Sequence, residues 1–244
     1  MSAESSKGYS AIRRKRRYRL AAAVKHGGGF VVALDEQWAK TPAGAELIVQ
    51  SPALAEALAL EWREQGETID PGRMPFTRLA NAAIDRIALA RQATITALAA
   101  YAENDLLCYR APEPPELIHA EEAAWRPLLD WIRDRHGAEL RVTAGIVPVS
   151  QPRESISKLV DALSAFDDMM LAGLQLATTS CGSLVLALAL AEGRVDAGEA
   201  LALSLTDEGF QAARWGVTVE YEARREALAR DIASAARFME LCRA

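Results

Sequence analysis

The chain has 244 residues, half of them hydrophobic, and a formal net charge of −5. That provides material for a real core and excludes a protein whose main task is neutralising phosphates, because such binding needs a surplus or a segregated excess of Lys and Arg. Cys108, Cys181 and Cys242 are far apart and lack C-x-x-C spacing, so they give neither a disulfide framework nor a zinc knuckle and fit a reducing compartment.

The polar start Met1 to Ser10 leads into Arg13-Arg14-Lys15-Arg16-Arg17 with no apolar leader and cleavage site. This basic run is read as a solvated, mobile arm rather than a nucleic-acid or lipid site. Tyr18-Arg19-Leu20, a Lys25-His26-Gly27-Gly28-Gly29 turn, the apolar run Phe30 to Leu34, a polar break at Asp35-Glu36-Gln37 and then Glu46-Leu47-Ile48-Val49 predict short hairpins. From Ser51 the period changes to about 3.6: Pro52 suits a first helical turn, Leu54, Leu58 and Trp62 form an apolar core stripe, and Gly66 ends the segment.

Helix is expected through Pro75 to Ile87, Arg91 to Leu107, Pro115 to His136 closed by Gly137, and Pro152 to Ala165. A charge-free stretch, Met169 to Ala191, then reads as one helix closed by Gly193. Its length could span a bilayer, but the polar waist from Gln175 to Ser183 and the absence of flanking Lys or Arg favour a buried central helix. Asp196 and Glu199 resemble a capping box opening a helix to Arg214, closed by Gly216, and a last helix runs from about Thr218 to Cys242. Leu140-Arg141-Val142 is the one strand expected in this half. The fold class is therefore α+β: a small β-containing N-terminal domain with one helix (1–73), then a larger all-helical C-terminal domain (74–244), joined through the turn-rich Gly66 to Pro75 segment.

Most chemical motifs fail on their own terms. His26-Gly27-Gly28-Gly29 spells an oxyanion-hole sequence without any G-x-S-x-G elbow, and no Gly-Lys-Ser or Gly-Lys-Thr follows to make a phosphate loop. Ser155-x-x-Lys158 lacks its companion motifs and is placed on a helix surface. His26, His119 and His136 have no metal-binding spacing and read as solvated turn or helix-end residues.

Three segments mix polar and aromatic residues beyond what a core demands: Met74 to Arg86, Asp105 to Arg110, and Asp207 to Gly216. With Lys40-Thr41-Pro42-Ala43 and Glu61 to Gly66, they resemble, in order and spacing from about Arg17 to the C-terminus, the blocks of the ATP synthase assembly chaperones that act on the alpha subunit, found in mitochondria and alphaproteobacteria. The resemblance implies a β-containing domain joined to a helical one, no enzymatic activity, no cofactor or nucleotide, a monomer in the bacterial cytoplasm, and transient binding that shields the surface alpha later presents to beta. The family's acidic pair falls on Asp207 and Glu208, its glutamine on Gln211 and its tryptophan on Trp215, with Glu208 the residue that matters most to the partner. The chain departs from the family in two places: Glu36 stands where glycine usually follows Asp35, and Leu205-Thr206 replaces Arg-Leu.

Helical spacing puts Glu208, Gln211 and Trp215 on one face, with Asp207, Phe210 and Arg214 elsewhere around the helix. Arg78, Asn81 and Asp85 form a polar ridge that must be satisfied internally or offered to a partner. Asp105 and Arg110 are read as an ion pair or as further partner contacts. The nine candidate partner-binding residues are thus Arg78, Asn81, Asp85, Asp105, Arg110, Asp207, Glu208, Gln211 and Trp215. The alternative is a hydrolase or transferase with an inter-domain site built from Asp105, Arg110, Glu208 and Gln211.

Overall fold

The computed structural model describes residues 14–145 and 147–244. Strands β1 (Ala21–His26) and β2 (Gly29–Leu34) form an antiparallel hairpin, with Ala21 opposite Leu34 and His26 opposite Gly29. Its turn is Gly27-Gly28, whose φ values of +58° and +84° are reached without cost only by glycine. The other edge of β2 is shared by two short strands, β3 (Gln37–Trp38) at one end and β4 (Ile48–Val49) at the other.

The β2–β3 turn forms although residue 36 is glutamate. Asp35 itself takes the left-handed conformation, at φ +52°, and its carboxylate accepts from the backbone N–H groups of Arg19 and Leu20, which also holds it below the usual carboxylate pKa. Helix α1 (Pro52–Arg63) packs on the sheet through Leu54, Ala55, Leu58 and Ala59 and is capped by Ser51, whose Oγ accepts from Leu54 N at 3.1 Å. Trp62 is partly buried and packs against the core at the end of this stripe, with Tyr18 edge-on to its ring at 5.7 Å.

The basic run is fastened to the fold. Arg16 N donates to Glu67 O, Ile69 N donates to Arg14 O, and the Arg16 guanidinium donates to the carbonyls of Tyr18 and Arg63. The mobile-arm expectation is corrected from Arg14 onward; residues 1–13 lie outside the described part.

The larger helical part comprises α2 (Pro75–Ala82), α3 (Arg91–Ala100), strand β5 (Tyr109–Arg110), α4 (Pro115–His136), strand β6 (Thr143–Ala144), α5 (Arg153–Ser164), α6 (Asp168–Cys181), α7 (Leu184–Ala191), α8 (Ala197–Ser204), α9 (Thr206–Trp215) and α10 (Val219–Arg243). After α2 the chain widens into a π-helical turn over Ala83–Ile87. Several boundaries differ from the sequence reading. The Arg91 to Leu107 helix ends at Ala100 and gives way to two 3-10 turns around an extended Asp105. The expected strand at Leu140–Val142 lies instead at Thr143–Ala144, paired in parallel with Tyr109–Arg110.

The charge-free stretch is two helices. Gly182, at φ +66°, closes α6, and Ser183 caps α7 by accepting from Leu186 N at 3.0 Å. All eight residues of α7 are buried, and among the described residues no helix is long and apolar enough to cross a membrane. Likewise, Asp196 to Arg214 is α8 and α9, separated at Leu205. One apolar cluster runs from Val32 and Leu47 of the sheet region through Leu171 of α6 to Phe238 of α10, so sheet and helices share a continuous core. Residue 73 ends a 3-10 turn, Pro71–Arg73, that separates α1 from α2.

Candidate functional site

Helix α9 has no buried residue, and the buried residues of α10 begin only at Ile232. The second half of α10 is anchored against α6, whereas α9 and the first half of α10 stand out from the core as a hairpin seated on α4 and α8. Asp207 and Glu208 occupy the first turn of α9, where the helix dipole favours acids. Gln211 Nε2 donates to Asp207 Oδ1 at 2.7 Å, so the amide leans toward Asp207 rather than lying free beside Glu208 as spacing alone suggested. Glu208 Oε1 lies 3.5 Å from Arg224 Nη2, joining the two arms of the hairpin.

At the tip, Trp215 is 73% exposed, Val217 58% and Val219 81%. Gly216, at φ +96°, turns the chain, and Thr218 restarts it by capping α10 through Tyr221 N. Three large apolar side chains within five residues, next to an acid and an amide, form an exposed apolar edge with a polar rim, the composition expected of a protein-binding patch.

The remaining candidates divide into those near the surface and those enclosed. Arg78 is exposed; Asn81 and Asp85 are half-buried, and each has one sealed oxygen without a partner among the described residues. Asp85 Oδ2 accepts from Ala43 N at 3.0 Å, which brings the Lys40–Ala43 and Met74–Arg86 blocks together. Asp105 is fully buried: its Oδ1 accepts from Leu107 N at 3.1 Å and its Oδ2 from Val185 N at 3.2 Å, so it ties the 3-10 turn to the start of α7. Arg110, only 6% exposed, donates to Leu107 O and to Glu122 Oε2 and lies 5.1 Å from the Trp125 ring centroid. The expected Asp105–Arg110 ion pair does not form; each residue is engaged within its own part of the core. Through Trp125, whose Nε1 donates to Leu203 O at 2.9 Å, the Arg110 cluster braces α8 beneath the hairpin.

Sequence reasoning missed Glu61. Its buried carboxylate accepts from Phe76 N, Thr77 N and Thr77 Oγ1, supplying from α1 the cap that α2 lacks. The available signal was Met74-Pro75, a helix start with no capping side chain of its own. His136 is also less solvated than expected: it is largely enclosed, packed edge-on to Trp131, with Nε2 at 2.8 Å from Glu192 Oε1 but off the hydrogen-bond direction. Ser155 is buried rather than on a helix surface, its hydroxyl donating to Glu139 O at 2.6 Å.

No hydrogen bond or ion pair joins Asp105, Arg110, Glu208 and Gln211 to one another among the described residues, so the four do not assemble into one reactive cluster. Burial pushes the cysteine thiols up, Cys181 and Cys242 to about 12, which disfavours thiolate formation.

Comparison with known proteins places this geometry in context. Residues 15–133 match the family model described as ATP12 chaperone protein. The chain is 39% identical to Atp12 from Paracoccus denitrificans, whose crystal structure superposes with a TM-score of 0.89 over 94% of this chain and 98% of that one. A mutant form of the same protein matches equally well, at a TM-score of 0.89. The mitochondrial atp12 protein of Schizosaccharomyces pombe is 25% identical over 237 residues, covering 91% of this chain and 81% of its own length.

Proposed function

Since the chain belongs to the ATP12 chaperone family, we propose that it is an ATP synthase assembly chaperone that binds the unassembled alpha subunit and masks its beta-facing surface until the catalytic head forms. The carrying observation is the exposed Trp215–Val219 edge at the tip of the α9–α10 hairpin, with Gln211 one turn and Glu208 two turns back along α9. An unpaired oligomer interface behaves like an exposed core cut in half, and a reversible apolar cover lowers the population free to aggregate. In this reading Trp215 anchors the contact and Glu208, Gln211 and Asp207 form its polar rim. Arg78, Asn81 and Asp85 extend the contact, and Asp105 and Arg110 act from inside by holding the elements beneath the hairpin.

The reading includes a division at residues 73 and 74, a monomer, residence in the bacterial cytoplasm, and no turnover of substrate. The test is co-migration of the purified chain with isolated alpha subunit in size-exclusion chromatography, followed by addition of beta subunit. A complex that beta displaces supports the proposal; no complex with alpha at micromolar concentration sinks it.

A further inference from the structure

A cleft of about 310 Å³ opens between the Lys40–Pro42 loop, Trp62 of α1, and Arg78 and Asn81 of α2. Its walls come from three of the separated blocks noted in the sequence and lie apart from the α9–α10 hairpin. Arg14, Lys40 and Arg78 line it, all three are exposed, and among the described residues no Asp or Glu lines it. Among the described residues no ion pair or side-chain hydrogen bond engages these three cations. The acid that feels Arg78 is Glu61, and both its oxygens already accept hydrogen bonds from Phe76 and Thr77.

Trp62 and Asn81 also line the cleft, although the indole Nε1 and the amide Oδ1 are themselves sealed from solvent and have no hydrogen-bond partner among the described residues. Three unpaired cations without an acid among them call for an anion, and guanidinium groups match a carboxylate in charge and in fork geometry. The apolar part of the wall, Met74, Ile69 and Pro42, suits the aliphatic stem of a side chain better than a hydrated inorganic ion.

We propose that this cleft binds an extended peptide segment through an Asp or Glu side chain seated among Lys40, Arg78 and Arg14, with the stem of that side chain lying against the apolar wall that includes Trp62. The proposal rests on the chaperone reading for the source of the peptide, which is then an acidic segment of the alpha subunit. It gives the protein a second grip, chemically distinct from the apolar hairpin tip, and two modest contacts on one partner raise avidity through effective concentration.

The test uses blocked twelve-residue peptides covering the alpha subunit, each acidic peptide paired with its Asn or Gln counterpart, and sodium acetate as an ion control. The readout is the indole N–H resonance of Trp62 in the full chain, one of five tryptophans, identified by its loss in Trp62→Phe. The expected result is a saturable shift with at least one acidic peptide. Its neutral counterpart, and the Lys40→Gln/Arg78→Gln double variant, should each bind at least about tenfold more weakly. No shift with any peptide, equal binding of neutral counterparts, or an acetate response of the same size overturns the proposal. Acidic peptides that bind while intact alpha is not captured support the cleft and remove the alpha assignment. Capture of alpha that Trp215→Ala abolishes and the double variant leaves untouched overturns the cleft's role and leaves the hairpin reading in place.

Discussion

Glu208 Oε1 on α9 stands 3.5 Å from Arg224 Nη2 on α10, so the acid marked out by spacing also bridges the two arms of the projecting hairpin. Both side chains are substantially exposed, and a pair of this kind contributes on the order of 0.5 kcal/mol to stability. Glu208→Lys is therefore expected to leave the unfolding midpoint nearly unchanged while weakening capture of alpha subunit at least about tenfold. The swapped pair, Glu208→Lys with Arg224→Glu, restores the attraction across the hairpin but not the acid's position. We expect capture to stay weak in the swap when measured by calorimetry; recovery would mean that Glu208 acts only by holding α10.

Trp215 carries the complementary expectation. It is 73% exposed at the end of α9, so Trp215→Ala removes few internal contacts and should change the unfolding free energy by no more than about 0.5 kcal/mol. An aromatic anchor in a protein contact, by contrast, is worth about 2 kcal/mol or more on truncation. Denaturant titration and alpha-subunit binding of the same variant separate the two quantities. A large loss of stability with unchanged binding would reassign Trp215 to the fold.

What was legible in the sequence follows from how local each signal is. The Gly27-Gly28 turn, the Pro115 start and Gly137 end of α4, and the Asp196–Glu199 capping box are set by residues within a few positions of the feature, and each was placed correctly. The Glu208, Gln211, Trp215 stripe needed only helical spacing, although Gln211 turned toward Asp207 because that carboxylate is also within reach at four residues. The break between α6 and α7 was less visible. Gly182-Ser183 is a helix stop followed by a cap, but Asp105 completes that cap from 80 residues away and hydropathy runs on unbroken. The break at Leu205 has no glycine or proline to mark it. The role of Glu61 and the cleft at Trp62 depend on tertiary approach of separated segments, which no local pattern encodes.

Asp105 gives a stability test with a definite pH sign. Asp105→Asn retains one acceptor oxygen for two backbone donors, Leu107 N and Val185 N, so one is orphaned at a cost of about 1–3 kcal/mol. In the parent chain burial raises the Asp105 pKa above its ordinary value of 3.8, against the opposing effect of Ser183 and the backbone donors. The folded state therefore keeps this proton to higher pH than the unfolded chain does. The resulting contribution is fully present below pH 3.8 and is lost as pH rises through the raised value. Asparagine does not titrate, so the parent's advantage over Asp105→Asn should be greatest in acid and shrink as pH climbs. Urea denaturation of both proteins across this range checks the slope; an advantage that grows with pH would mean that Asp105 is stabilised as the carboxylate.

The anchor of the hairpin can be tested at Gly173. This residue of α6 faces α10 so closely that a Cβ built on it meets Met239 Cγ well inside contact distance and Phe238 Cδ1 at 3.5 Å. The missing side chain lets α6 and α10 approach, and that contact holds the buried half of α10 from which the exposed half projects. Gly173→Ala gains helix propensity but must displace Met239; the thioether is flexible, so the net cost should be at the low end of about 1–3 kcal/mol, and Gly173→Val should cost more. Met239→Ala frees the space that the new methyl needs. Thermal unfolding of the two single variants and the double variant should therefore show coupling: Gly173→Ala costs less in the Met239→Ala background than in the parent. Additive losses would show that Gly173 is required by something other than its approach to Met239. A binding loss in Gly173→Val larger than the stability loss explains would show that the angle of α10, as well as the residues at its tip, governs how the partner is met.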